Sequence, residues 1–282
     1  MKLLRWGPKG AERPGALDAS GTIRDLTGLT PDFAGAAVSV EAVERLKAVD
    51  LSKLPAVPAG TRIGSCLASV PNFFCIGLNY ARHAAETGAQ PPAEPIIFAK
   101  ATSALSGPYD DVIIPKGSTK PDWETELGIV IGAKAEHVSE ADALSVVSGY
   151  CVINDVSERC WQIERGMTWM KGKSAPTFGP TGPWIVTKDE IPDPQALDLW
   201  LELSGTMVQK SNTSDMIFSV KQIVSYMSSL MTLQPGDVIA TGTPEGVGMG
   251  MKPQRWLKPG DVMKVGVQGL GEQKQNVVAY PG

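Results

Sequence analysis

Histidine is nearly missing from this chain: 282 residues hold only His83 and His137, so any imidazole chemistry rests on one of the two. Cysteine is scarce as well. Cys66, Cys75, Cys151 and Cys160 stand apart with no Cys-x-x-Cys pair. That spacing excludes the common structural zinc arrangements and fits free thiols in a reducing cytoplasm. Basic residues show no surplus, 26 Lys and Arg against 30 Asp and Glu, and they form no cluster. Nucleic acid and anionic membrane surfaces are therefore not expected partners. No apolar run approaches the roughly 18 residues of a membrane span. The opening "MKLLRWGPKG" has no apolar stretch behind its charge, so no secretory signal is expected there.

What is present is an ordinary globular composition, 43% hydrophobic and 20% charged, sufficient for a sizeable core. Residues 1–70 read as a small N-terminal domain. It opens with a strand at "MKLLRWG" and a hairpin at "DASGTIRDL" turning at Gly21. A helix follows near "SVEAVERLKAVD", opened by Ser39 and Ala42, and the proline-rich "SKLPAVPAGTRIG" acts as a connector. Residues 71–282 read as a larger, strand-dominated domain. Its β-type runs are "NFFCIGL", "PIIFAK", "DVIIP", "ELGIVIGA", "GYCVIND", "GPWIVT", "LDLWLELSG", "DVIATG" and "DVMKVGV". One helix interrupts them, "SVKQIVSYMSSLMTL", with Ser219 and Gln222 as a capping box. The expected fold class is mixed α/β and strand-dominated, neither a helix bundle nor a regular βαβ alternation.

Two glycine-bearing stretches invite a nucleotide-binding reading and fail it. In "GMTWMKGKS", Gly166 and Gly172 are separated by one residue too many for a phosphate loop. In "TGTPEGVGMG" the G-x-G-x-x-G spacing is absent and no helical pattern follows.

The stretch "PDWETELGIVIG" poses a different question. Residues two apart on a strand share a face, so Glu124 and Glu126 are neighbours at the head of an apolar run. On a solvated strand end they need no explanation. On a buried face two like charges require a cation or partial protonation. A third acid, Asp155, ends the apolar strand in "GYCVINDVSER". Three carboxylates are hard oxygen donors suited to Mg²⁺ or Mn²⁺ and poorly suited to zinc. In "GLNYARHAAETG", His83 and Glu86 stand three apart in a short helical segment, which lets the carboxylate orient the imidazole. Such a dyad suits general-base activation of water, although a surface His–Glu pair shows the same spacing. His137 falls in polar "AKAEHVSEADA" and reads as surface.

Taken together and in order, "GLNYARHAAE", "DWETELGIVIG", "INDVSER", "GKSAPTFGPTGP" and "IATGTPEGVG" resemble the fumarylacetoacetate hydrolase family across about residues 70–282. The resemblance implies a family-type β-roll or β-sandwich core behind a variable N-terminal module, a homodimer, and a divalent metal, Mg²⁺ or Mn²⁺. It places Glu124, Glu126 and Asp155 at metal-ligand positions, and His83 and Glu86 at the water-activating dyad on a lid segment. Lys100 and Lys173 fall where the family sets lysines near substrate oxygens, and Thr243 falls in a loop near the substrate carboxylate. The implied activity is metal-dependent hydrolysis of a carbon–carbon bond in a 2,4-dioxo acid, releasing pyruvate. The terminal runs look most like a bacterial subgroup of carbohydrate metabolism that cleaves 2,4-diketo-3-deoxy sugar acids such as fuconate or rhamnonate derivatives, some of them labelled ureidoglycolate lyase. A decarboxylase or lyase on the same scaffold is the alternative, and a non-catalytic metal-binding protein a third reading. Glu158 and Cys160, just beyond Asp155, are expected to tune the pocket.

Overall fold

Each of the nine β-type runs forms a strand in the computed structural model, which describes residues 1–282. The architecture is mixed α/β and strand-dominated. Its organising element is the strand Thr125–Ile131, every residue of which is buried. It pairs antiparallel with Val147–Asn154 on one side and with Val238–Ala240 on the other. Beyond Val238–Ala240 the sheet continues through Phe73–Gly77 to Ile96–Lys100. In the other direction it runs through Gly179–Thr187 to Lys2–Trp6, Arg13–Leu17 and Ile23–Asp25. The leading residues thus supply one edge of this ten-stranded sheet, and the expected hairpin turns at Gly21.

A second sheet of five strands has the order Thr206–Asn212, Asp198–Leu203, Val262–Val267, Gly271–Val278 and Val112–Ile113. One core joins the two sheets, uniting Leu127, Ile129 and Val152 with Leu199 and Val265. The opposite face of the large sheet packs Val130, Cys151 and Ile153 against Leu3, Phe33 and Leu46. Burial on both faces explains why "ELGIVIG" reads as a continuous apolar run instead of an alternating one. The two long helices cap as their sequences predict. Ser39 accepts from the Ala42 amide, and Ser219 with Gln222 closes a capping box.

Strands 206–212 and 271–278 lacked an apolar signature in the sequence. In "GEQKQNVV" the inward positions include Gln273 and Gln275. Gln273 Nε2 donates to the carbonyls of Val152, Pro180 and Gly182, and Gln275 Nε2 to Pro108 O at 2.7 Å. Those bonds let glutamines do a core residue's job, so hydrophobic pattern could not find the strand. No helix is long and apolar enough to cross a membrane.

Candidate active site

The end of the central strand pair brings the three acids together. Ile153 faces Glu126 across the ladder, Asn154 faces Thr125, and the Asp155 amide donates to Glu124 O at 2.9 Å. One carboxylate oxygen from each of Glu124, Glu126 and Asp155 lies within 4.8 Å of the others, and all three residues are buried. The solvated-strand-end reading of Glu124 and Glu126 therefore does not apply.

Buried cations answer most of this charge. Lys173 Nζ lies 2.7 Å from both Glu124 Oε2 and Asp155 Oδ2. Lys100 Nζ bonds Asp155 Oδ1 and donates to Val156 O at 3.2 Å. Arg159 pairs its Nε with Asp122 Oδ2 at 2.8 Å and sets NH2 2.6 Å from Glu124 Oε1. Burial alone would raise the Glu124 carboxyl, but Lys173 and Arg159 hold it below the usual carboxylate range. Glu126 has no cation partner, only the Gly242 amide at 2.8 Å. Burial, then the neighbouring Asp155 and Glu124 carboxylates, push it well above that range. With Asp122, four buried acids face three buried cations, and the unbalanced charge falls on Glu126. Three convergent hard oxygen donors with one negative charge in excess are what a divalent cation fits.

The dyad opens onto the same space. His83 is buried on the helix Ala81–Thr87, and its Nδ1 lies 2.9 Å from Glu86 Oε1. The Gly246 amide donates to both Glu86 oxygens, at 3.1 and 3.0 Å. This fixes the carboxylate from the far side and leaves His83 Nε2 without a protein partner. A cavity of about 470 Å³ is lined by His83, Glu124, Glu126, Lys173 and Thr243 among others. Its volume lies in the ordinary range for small-molecule sites.

Of the residues singled out from sequence, Lys100 is not on the cavity wall: it stands behind Asp155 with its ammonium committed there. Glu86 also sits behind, reaching the cavity through His83. Thr243 lines the wall, but its hydroxyl donates to Thr125 O. Neither Glu158 nor Cys160 touches the cavity. Glu158 is buried as an anchor that accepts from the amides of Thr119, Lys120 and Cys160. His137 is exposed in a loop, as expected. Sequence reasoning gave no role to Asp122, Arg159, Gln162 or Trp169. The first two lie inside motifs already quoted, where their charge was visible but their partners were not.

Residues 72–278 match the family model described as the C-terminal region of fumarylacetoacetate (FAA) hydrolase. A Burkholderia cenocepacia protein that bears the provisional name of hydrolase is 59% identical over 276 residues, covering 98% of each chain. A solved fumarylacetoacetate hydrolase from Exiguobacterium antarcticum superposes with a TM-score of 0.88 at 35% identity, covering 99% of this chain and all of its own. Maleylpyruvate hydrolase from Sphingobium sp. SYK-6, solved with manganese(II) and pyruvate, gives 0.81 at 30% identity over the full length of both. Isomerases also occur among the similar solved structures.

Proposed function

The chain belongs to the fumarylacetoacetate hydrolase family, and from that premise we propose that it is a Mg²⁺-dependent hydrolase that cleaves a carbon–carbon bond in a 2,4-dioxo acid to release pyruvate. One observation carries the reading: three buried carboxylates within 4.8 Å of one another line or back the same cavity as a histidine–glutamate dyad.

Glu124, Glu126 and Asp155 would hold the cation, which supplies Lewis acidity toward the carboxylate and adjacent keto oxygen of such an acid. His83, oriented through Nδ1 by Glu86, takes a proton from water at Nε2 as the water attacks the distal carbonyl. The bond between that carbonyl and the neighbouring methylene then breaks, and its electron pair leaves with the pyruvate fragment. Lys173, on the cavity wall, offsets the negative charge that develops there. Lys100 supports the reaction from behind by fixing Asp155, and Thr243 shapes the wall. The buried walls exclude bulk water and strengthen each of these interactions.

The terminal sequence runs favour a 2,4-diketo-3-deoxy sugar acid, whose tail is short and hydroxylated, as one member of the substrate class. The manganese ion in the Sphingobium enzyme makes Mn²⁺ a natural substitute for Mg²⁺. A homodimer, a cytoplasmic setting and a division into residues 1–70 and 71–282 complete the proposal. The family match covers residues 72–278, while strands from residues 2–25 pair into the same sheet. A metal-dependent lyase, decarboxylase or isomerase is the second reading, favoured by the isomerases among the similar structures.

The test follows the ultraviolet enol absorbance of acetylpyruvate, oxaloacetate and a 2,4-dioxo-3-deoxy sugar acid. Chelator-stripped protein is assayed with and without Mg²⁺, as wild type and as His83→Ala. Mg²⁺-dependent formation of pyruvate, lowered about 10²–10⁴-fold in His83→Ala, is expected. Oxaloacetate loss that survives the substitution would instead establish the decarboxylase reading.

A further inference from the structure

The cavity has two kinds of wall. Carboxylates, Lys173 and His83 make one; carbon makes the other, through Leu78, Ala89, Phe98, Ile163, Met167 and Trp169. Phe98 and Trp169 meet edge to face, ring centroids 5.2 Å apart at 63°. Lys173 Nζ, bonded to two of the acids, lies 5.2 Å from the Phe98 ring centroid, so the aromatic pair begins where the acid cluster ends. Trp169 is seated by the backbone beside it. A Cβ on Gly77 would lie 2.3 Å from Trp169 Cζ3, so the ring occupies the space that glycine leaves.

Most polar groups on these walls are already committed, His83 Nε2 and Gln162 Nε2 being the exceptions. Lys173 is held by Glu124 and Asp155. Arg159 donates to Asp122 and Gln162, and its buried NH2 is ion-paired with Glu124 without a hydrogen bond in line. Thr87 donates its hydroxyl to the carbonyls of His83 and Ala84, and Thr243 to that of Thr125. No uncommitted Lys or Arg lines the cavity to pair with a second carboxylate, and few donors remain for a chain of hydroxyls.

We propose, resting on the dioxo-acid reading above, that the acyl group released by this enzyme is apolar, aromatic or branched alkyl, and that Phe98 and Trp169 select it. For a phenyl tail, 4-phenyl-2,4-dioxobutanoate and water give benzoate, pyruvate and one proton. Water oxygen bonds to C4, the C3–C4 bond breaks, and its electron pair on C3 takes up a proton to complete the pyruvate methyl. A tail with its own carboxylate or several hydroxyls would lose solvent and gain few partners, so the cavity wall favours an apolar tail over the sugar-acid tail that the terminal sequence runs suggest.

The experiment compares kcat/KM for four 2,4-dioxo acids, with methyl, phenyl, carboxyvinyl and hydroxylated tails, in Mg²⁺-loaded wild type, Trp169→Ala and Gly77→Ala. Calorimetric binding of each acid is measured alongside. Wild type is expected to favour phenyl over methyl on the order of 100-fold. That ratio should fall at least about tenfold in either variant, as the ring is removed or displaced. A carboxyvinyl or hydroxylated tail in the lead would overturn the tail assignment while leaving dioxo-acid hydrolysis standing. If no acid is turned over, the hydrolase reading fails and binding alone decides the tail. Tighter binding of the phenyl acid that weakens in Trp169→Ala supports the assignment, and equal binding of all four rejects it. A variant that does not fold is replaced in the series by Trp169→Leu.

Discussion

Asp122 accepts from the amides of Trp123, Gly248 and Met249 and from Arg159 Nε, while Arg159 in turn reaches Glu124. One carboxylate thus ties a loop to a metal-ligand candidate two residues away. Asp122→Asn keeps the shape but removes the charge that fixes Arg159. Outer contacts of this kind are worth about 10–100-fold in metal affinity. Calorimetric titration of Mg²⁺ into Asp122→Asn is therefore expected to show a loss in that range, and unchanged affinity would break the link from Asp122 to Glu124. The spacing of Glu124 and Glu126 makes them candidate neighbours, and Asp155 with the ordered motifs turns the pair into a candidate metal site. Arg159 could not be read in that way: a charged residue announces its charge in the sequence, whereas its partners come from strands and loops far along the chain. Lys100 shows the converse, a lysine expected near substrate oxygens whose ammonium is bonded to Asp155 and is not on the cavity wall.

The glycine-bearing run "GTPEGVGMG" has its explanation at the level of the loop. Gly246 takes a φ of +96° and offers its amide to Glu86, and a Cβ there would lie 1.9 Å from Val208 O. At Gly250 a Cβ would lie 2.6 Å from the Glu86 carboxyl carbon. Gly250 therefore makes room for the acid that orients His83 and Gly246 holds it, which is why the run looks like a dinucleotide-binding loop without its spacing. Gly250→Ala should push Glu86 off the imidazole. A displacement near 1 Å can cost about 10²-fold in rate. Steady-state kinetics beside a metal titration should show that loss with metal affinity retained; a matched fall in affinity would place the damage elsewhere. Most strands were legible because apolar, β-branched runs bounded by Gly, Pro and Asp have few other uses. Strand 271–278 was not, because its inward glutamines bond backbone carbonyls that only the folded sheet supplies.

Across the whole molecule, Arg62 joins distant parts of the chain. It pairs with Asp110 at 2.6 Å and Glu12 at 2.8 Å and donates to Gly7 O at 3.2 Å. Burial is the largest influence and would raise the Asp110 and Glu12 carboxyls, but the Arg62 hydrogen bonds and charge, with backbone hydrogen bonds and the neighbouring Lys9 and Arg5 charges, together hold both below the usual range. Groups depressed on folding stabilise above their unfolded pKa, about 4, and lose that contribution as pH falls through the lower folded value. Thermal melts from pH 7 down to pH 3 should therefore show acid destabilisation that is shallower in Arg62→Gln, starting from a lower melting temperature at neutral pH. Parallel curves would rule out this ion-pair network as a source of acid sensitivity. The strand pair that carries the acids has one more consequence, for how the chain finds its fold. A slip of one residue between strands 125–131 and 147–154 would turn Glu126 toward the opposite face. Only the native pairing gathers all three carboxylates, so an ion that needs all three binds that pairing alone and stabilises it by mass action. A metal held by the three acids would then proofread strand alignment during folding, before it met any substrate.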